Sequence, residues 1–187
     1  MKYITKTINH FDNPITYYGY HCFNQLNCSI RYYNLLQNNF EAHEIMDGLY
    51  LGSLESSYDI ETLKKKNITH IVSVLAGYSP PYPDDFNYFV INTLDTEQSN
   101  LIDVFDEASK FISDAICDGS NVLVHCAYGR SRSATIVASY LIYAFGMDVD
   151  RVIGLLKSKR GIVEPNPHYV KQLRAYYDYK YNEGDFL

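Results

Sequence analysis

The sequence predicts an α/β fold: a central, twisted, mostly parallel sheet flanked by helices. Three observations carry this. From Gly48 onward, short apolar runs of strand length alternate with longer runs at helical spacing. One of the short runs, Ile68 to Leu75, has few polar breaks, as expected of a strand covered on both faces. One of the long runs places Leu101, Val104, Phe105, Ala108, Phe111, Ile112, Ala115 and Ile116 at helical spacing, which gives one apolar side to lay on a sheet.

Taken in order, Leu49 to Ser53 reads as a strand and Ser57 to Lys66 as a helix ended by Asn67. After the strand Ile68 to Leu75, Gly77 and three prolines before Asp85 make a loop. Tyr88 to Leu94 is the next strand, Asn100 opens the long helix, and Asp118-Gly119 stops it. Val122 to Val124 is a short strand. Ser133 to Phe145 is apolar on almost every side, the pattern of a central buried helix. Asp148 or Asp150 caps a helix carrying Val152, Ile153, Leu155 and Leu156 inward, with Gly161 at its end. Asn166-Pro167 has the cap-then-proline form of a last helix, with Val170, Leu173 and Tyr176 inward.

The 187 residues suit one domain with a sizeable core, and 47% of them are hydrophobic. A net charge of -6 argues against a nucleic-acid partner. The longest apolar run, Ala134 to Met147, is too short for a membrane span, and Met1-Lys2-Tyr3-Ile4 has no secretory core. No membrane partner is therefore expected. The four cysteines, Cys22, Cys28, Cys117 and Cys126, show neither zinc spacing nor a disulfide framework. They point to a reducing, cytoplasmic setting, with the nucleus also open.

The chemistry concentrates in Val122 to Thr135, a strand, a tight loop and a helix start. Cys126 is followed six positions later by Arg132, with Gly129 between them. Amides of such a loop can all turn inward and make an anion cradle at a helix N-terminus. Arg132 would close the cradle with a planar grip on phosphate. The same field would ionise Cys126. An arginine in a helix's first turn is unfavourable for the helix dipole unless its target is an anion. The pattern describes a phosphate pocket with a nucleophile in it.

His125-Cys126-x5-Arg132-Ser133 resembles the active-site motif of the cysteine-based protein phosphatases, most closely their dual-specificity branch. Asp47 to Ser53 resembles that family's first strand, Asn67 to Val72 its second, and Pro165-Asn166 with Gln172-Leu173 its closing helix. The resemblance spans roughly Glu44 to Tyr181. It implies a phosphatase-like fold and hydrolysis of phosphotyrosine and phosphoserine or phosphothreonine in proteins through a cysteinyl-phosphate. Phosphorylated proteins are the implied partners; no cofactor and no metal are expected.

By the same resemblance Cys126 is the nucleophile, Arg132 binds phosphate, and Asp95 is the general acid. His125 hydrogen-bonds backbone and helps hold the thiolate, and the Ser133 hydroxyl donates to the sulfur as the intermediate breaks down. Residues 127–132 (Ala127, Tyr128, Gly129, Arg130, Ser131 and Arg132) form the phosphate-binding loop. By spacing alone Asp95 is as readily a turn or capping residue. Glu97, Asp103 and Asp106 are its competitors, the last two placed on the outer side of the long helix. Two positions depart from the family pattern. Arg130 stands where many relatives carry a small apolar residue; it reads either as an exposed arginine without a role or as a positive charge at the pocket rim that favours acidic flanks on a substrate. Ser73 stands where asparagine is common, which bears on one support of the loop. Cys117 falls at the far end of the preceding helix by chain order, which argues against its resolving an oxidised Cys126.

The expected layout is an N-terminal extension over residues 1–43, a catalytic domain over 44–182 and a tail over 183–187. The extension reads as a segment packed on the domain or partly disordered, with a docking segment as the alternative, and with a short helix over Ser29 to Phe40.

Overall fold

The structure, a computed structural model, describes residues 3–7 and 41–181. The predicted helix over Ser29 to Phe40 lies outside the described residues. Six strands form one sheet: β1 (Tyr3–Thr7), β2 (Ala42–Met46), β3 (Leu49–Gly52), β4 (Ile68–Val74), β5 (Asn87–Asn92) and β6 (Asn121–His125). Their order is β1-β5-β4-β6-β3-β2. All neighbours are parallel except β2 and β3, which form an antiparallel hairpin. Among the described residues five α-helices complete the fold: α1 (Ile60–Lys65), α2 (Phe105–Cys117), α3 (Arg132–Phe145), α4 (Val149–Lys159) and α5 (Pro167–Tyr181). This is the predicted mostly parallel α/β sheet flanked by helices.

Strand alternation sorts the core into two sides. Leu49, Leu51, Val72, Val74, Phe89, Ile91, Val122 and Val124 join one cluster with residues of α2 to α5, among them Phe105, Ile112, Val137, Val152 and Leu173. Tyr50, Ile71, Tyr88, Val90 and Leu123 face the other way, against Leu63 of α1 and Phe86. Helix α3 sits in the middle of the larger side. Every residue from Arg132 to Ile142 is buried, which explains why it is apolar all round. It ends at Gly146, whose left-handed backbone (φ 62°) lets its N–H donate to the Ile142 carbonyl.

The elements differ from the sequence reading at several ends. The helix expected from Ser57 divides into a tight turn at Leu54–Ser57 and α1, whose cap is Asp59, accepting from the Thr62 N–H at 2.9 Å. The helix expected from Asn100 begins as a turn at Ile102–Val104 and becomes α-helical at Phe105. Asp148, not Asp150, caps α4. No strand was expected before Leu49, yet β1 and β2 are both present. β1 lies beside β5, where it covers an edge that would otherwise expose unpaired backbone. Ile4 packs against the main core, and Lys6 pairs with Glu107 of α2 at 2.8 Å.

Among the described residues no helix is long and apolar enough to cross a membrane.

Candidate active site

The site forms at the carboxyl end of β6, the usual place for ligand chemistry in an open parallel sheet. β6 ends at His125, the loop turns, and α3 begins at Arg132. Cys126 is the loop's first residue and is 2% exposed. Its Sγ accepts hydrogen bonds from the Gly129 N–H at 3.3 Å and the Ser133 Oγ at 3.2 Å. Burial, the largest single influence, pushes the thiol up. The Arg132 guanidinium, the Ser133 hydroxyl and the backbone N–H groups of Ser133 and Tyr128 together overcome it and hold the thiol below its ordinary value.

The loop keeps its shape through contacts that turn its carbonyls outward. The Ala127 carbonyl accepts from the Leu54 N–H at 3.3 Å, and the Arg130 carbonyl from the Glu164 N–H at 2.9 Å. The Ala127 side chain packs away from the cleft, with Leu54 and Leu75. Gly129 has a positive φ of 66°, and a Cβ there would lie 2.6 Å from the Gly52 carbonyl oxygen. No other residue fits without moving β3.

Arg160 is the member of the site that the sequence reading missed. It directly follows α4, is 2% exposed, and its guanidinium lies behind the loop. It donates to the Gly129 carbonyl at 3.1 Å and the Tyr128 carbonyl at 2.9 Å. Its remaining N–H groups reach the Glu41 carboxylate at 3.0 Å and His43 Nδ1 at 2.9 Å, next to β2 and on it. With those two carbonyls fixed outward, the N–H groups of the same peptide planes, on Gly129 and Arg130, turn the other way, and the Gly129 N–H reaches the Cys126 sulfur. The only sequence signal was an arginine five residues before Pro165, too common a pattern to mark a site.

Arg132 is buried and donates from Nη1 to the Thr93 carbonyl at 3.1 Å. Its Nε lies 3.4 Å from Asp95 Oδ2, an ion pair across the cleft. Asp95 Oδ1 accepts from the Ser131 Oγ at 3.1 Å, and that oxygen in turn accepts from the Asn166 N–H at 3.1 Å. Asn166 also caps α5, accepting from the His168 N–H at 3.0 Å.

The Asp95 loop is fastened by α5. The Leu94 carbonyl accepts from the Tyr169 hydroxyl at 2.9 Å and the Ser99 hydroxyl at 2.8 Å. Gln172 takes the Leu101 and Ile102 N–H groups on its carbonyl at 2.7 and 3.0 Å and donates to the Ser99 carbonyl at 2.9 Å. Burial, helped by the nearby Asp95 charge, pushes the Tyr169 phenol up to about 12, so it remains a donor.

His125 is fully buried beneath the loop, and its Nε2 is 2.7 Å from the Ser73 hydroxyl. Burial lowers its pKa to about 3, the Arg132 charge acts the same way, and a bond with the Cys126 backbone opposes them. The ring is neutral and brings no positive charge to the sulfur. Tyr78 stacks on it edge to face, with centroids 5.1 Å apart. Ser73 thus supplies a polar partner despite its departure from asparagine.

Asp95, Glu97, Cys126, Tyr128, Arg130, Ser131 and Arg132 all line one open cleft of about 530 Å³. Arg130 is exposed at its rim and paired with Glu164. Asp106 is occupied elsewhere, by the Tyr176 hydroxyl and Lys180. Cys117 ends α2 at the opposite end of β6, a strand length of roughly 16 Å away. Among the described residues no group of three or more histidine, cysteine or acidic side chains could hold a metal ion.

A buried, activated thiol and an arginine in an amide bowl, delivered by a parallel strand and closed by a central helix, define a cysteine-based phosphatase. Comparison with known proteins agrees. The family described as "Dual specificity phosphatase, catalytic domain" matches residues 49–179, and the chain belongs to it. It is 42% identical to dual specificity protein phosphatase 1B of Arabidopsis thaliana, over 76% of this chain and 85% of that one. It is 43% identical to dual specificity protein phosphatase 1 of the same plant, over 70% of this chain and 66% of the other. The solved structure of a human tyrosine phosphatase-like serine/threonine/tyrosine-interacting protein superposes with a TM-score of 0.73 at 31% identity, covering 76% of this chain and 99% of that one. The protein is a dual-specificity protein phosphatase, which removes phosphate from tyrosine and from serine or threonine through the family's cysteinyl-phosphate.

Proposed function

We propose the following division of labour within that reaction. The Cys126 thiolate attacks phosphorus in line with the ester oxygen, forming S–P as O–P breaks. Arg132 and the loop amides hold the three non-bridging oxygens, and hold them more tightly as charge builds in the transition state. Asp95 leaves its contact with Arg132 as phosphate takes that place, takes up a proton from solvent, and gives it to the departing oxygen as O–P breaks. In the second step a water attacks phosphorus, Asp95 takes its proton, and S–P breaks. The Ser133 hydroxyl, already directed at Sγ, stabilises the returning thiolate.

The observation that carries this reading is the convergence on one sulfur: a backbone N–H, a hydroxyl and a guanidinium charge all favour its ionised form. Substrates are phosphorylated proteins, and a reducing compartment such as the cytoplasm suits a nucleophile of this kind.

The test is Cys126→Ser with an activated aryl phosphate. Turnover falls by about 10⁴-fold or more, as for loss of other covalent nucleophiles. Binding of inorganic phosphate by calorimetry persists, because the amides and Arg132 do not depend on the sulfur. Retained turnover in the variant would refute the assignment.

A further inference from the structure

Beside the phosphate cleft runs a second, shallower groove of about 340 Å³, lined by Arg130, Lys157, Gly161, Ile162, Val163 and Glu164. Arg130 and Glu164 line both hollows, so a single ridge separates them. Nothing in the mechanism above uses the groove. Its floor is Val163, 1% exposed, and its edge is Ile162, 49% exposed, one of few large apolar side chains left open to water.

Charge decides what the groove accepts. Arg130 and Lys157 supply two positive charges. Glu164 supplies one negative charge and is already paired with Arg130. The bond and charge of Arg130, with Lys157 adding, hold the Glu164 carboxyl below its ordinary range, so it stays ionised. Among the described residues no carboxylate lies within ion-pair distance of Lys157, whose ammonium acts on Glu164 only through its field. Asp95 and Glu97 line the cleft but not the groove. The groove therefore carries two cations, one carboxylate and an apolar step, while those two acidic groups stay with the cleft.

We propose that this groove is a substrate subsite: it takes residues flanking the phosphorylated residue of a protein substrate, seating an apolar side chain on Ile162 and Val163 and an acidic one against Lys157. The proposal rests on the phosphatase reading above. Continuity with the cleft supports it, since an extended segment with its phosphate on Arg132 crosses only one ridge. It also changes the expectation attached to Arg130. That arginine is neutralised by Glu164, so the preference for acidic flanks passes to Lys157.

The experiment measures kcat/KM on phosphotyrosine peptides that differ only in their flanks: Asp-Leu, Asp-Ala, Lys-Leu and Ala-Ala, on either side of the phosphorylated residue. Wild type, Lys157→Glu and Ile162→Ser are compared, each at low and high salt, with an aryl phosphate as control. The expected result is a preference of about three- to tenfold for Asp-Leu on one side, carried in KM, weakened by salt, since exposed charges are screened. Lys157→Glu reverses the preference toward Lys-Leu. Ile162→Ser reduces the gain from leucine and leaves the charge preference. Aryl phosphate turnover stays unchanged in both variants. Flank preferences that neither variant alters, with aryl turnover intact, would overturn the subsite alone. Loss of aryl turnover by the wild type would instead overturn the reading beneath it. Vesicles of phosphorylated inositol lipid hydrolysed faster than every peptide, with that advantage lost in Lys157→Glu, would assign the groove to a membrane and also overturn the proposal.

Discussion

The two loops that face each other across the cleft are held in different ways. The Cys126 loop is gripped through its own backbone. Its carbonyls are taken by Leu54, Glu164 and Arg160, its sulfur by Gly129 and Ser133, and Cys126, Ala127, Gly129 and Ser131 are buried while Tyr128 and Arg130 are exposed. The Asp95 loop is gripped from a distance. Besides the contacts of Ser131 and Arg132, its attachments are the side chains of Tyr169 and Gln172, on a helix more than seventy residues away, and its acid is a third exposed. The difference fits the two tasks. A nucleophile in a bowl needs fixed amides, since electrostatic preorganisation works only if nothing has to move. An acid that must release Arg132, reach a leaving oxygen and then a water needs a loop that can shift.

The sharpest way to separate the loops is Asp95→Asn. We expect a loss of about 10²- to 10³-fold in kcat on phosphoserine and phosphotyrosine peptides. The loss should shrink strongly with a fluorinated phenyl phosphate, whose leaving group departs as an anion without help. Glu97→Gln should show neither effect, although Glu97 lines the same cleft. An equal loss on all leaving groups, while phosphoenzyme formation limits the rate, would mean that Asp95 is not the acid.

Arg160→Met attacks the other loop from behind. The side chain of similar length leaves the Tyr128 and Gly129 carbonyls without their buried charged donor, a kind of bond contributing about 1.5–3 kcal/mol each. We expect kcat/KM to fall about 10- to 100-fold on every substrate, irrespective of leaving group, in line with small misplacements of catalytic groups. The thiol should report the change directly. Cys126 is held below the ordinary thiol range, so its alkylation by iodoacetamide is half-maximal at a correspondingly low pH. Disordering the amides withdraws hydrogen bonds from the thiolate, and the half-maximal pH should rise. A variant that loses stability but keeps the wild-type alkylation profile would reduce Arg160 to a purely structural residue.

These partners also mark where the sequence stopped being readable. The sheet from β3 onward, the buried α3 and the loop with Cys126 and Arg132 were legible, because strand alternation, helical spacing and a strand-loop-helix phosphate motif are local patterns. Asp95 was readable only through resemblance, since one aspartate after a strand is commonplace. The Arg160 contacts join residues more than thirty and more than a hundred positions apart, and no periodicity reports such pairs. The strand Tyr3–Thr7 is short, lies at an edge and pairs with a strand eighty-five positions later (Tyr3 with Tyr88). Only the folded sheet shows that the edge was open to receive it. Arg130 was read as a free rim charge because its partner, Glu164, sits thirty-four residues on.

The mildest perturbation tests whether the acid loop's distant anchoring matters to chemistry at all. Gln172→Met keeps the length and volume of a side chain that is mostly buried, and removes its amide. The Leu101 and Ile102 N–H groups lose their acceptor and the Ser99 carbonyl loses its donor. Those groups lie several residues from Asp95, and the Tyr169 and Ser99 bonds to the Leu94 carbonyl remain. The loop should therefore sample more positions without letting go. We expect a drop of about three- to tenfold in kcat on phosphoserine peptides, as the acid spends less time in register with the leaving oxygen. On the activated aryl ester the rate should change by less than about twofold, and the alkylation profile of Cys126 should not move. That pattern is the reverse of Arg160→Met, which strikes all substrates and shifts the thiol. If Gln172→Met also lowers the activated-ester rate or displaces the thiol profile, the two loops are one mechanical unit, and the contrast drawn between them fails.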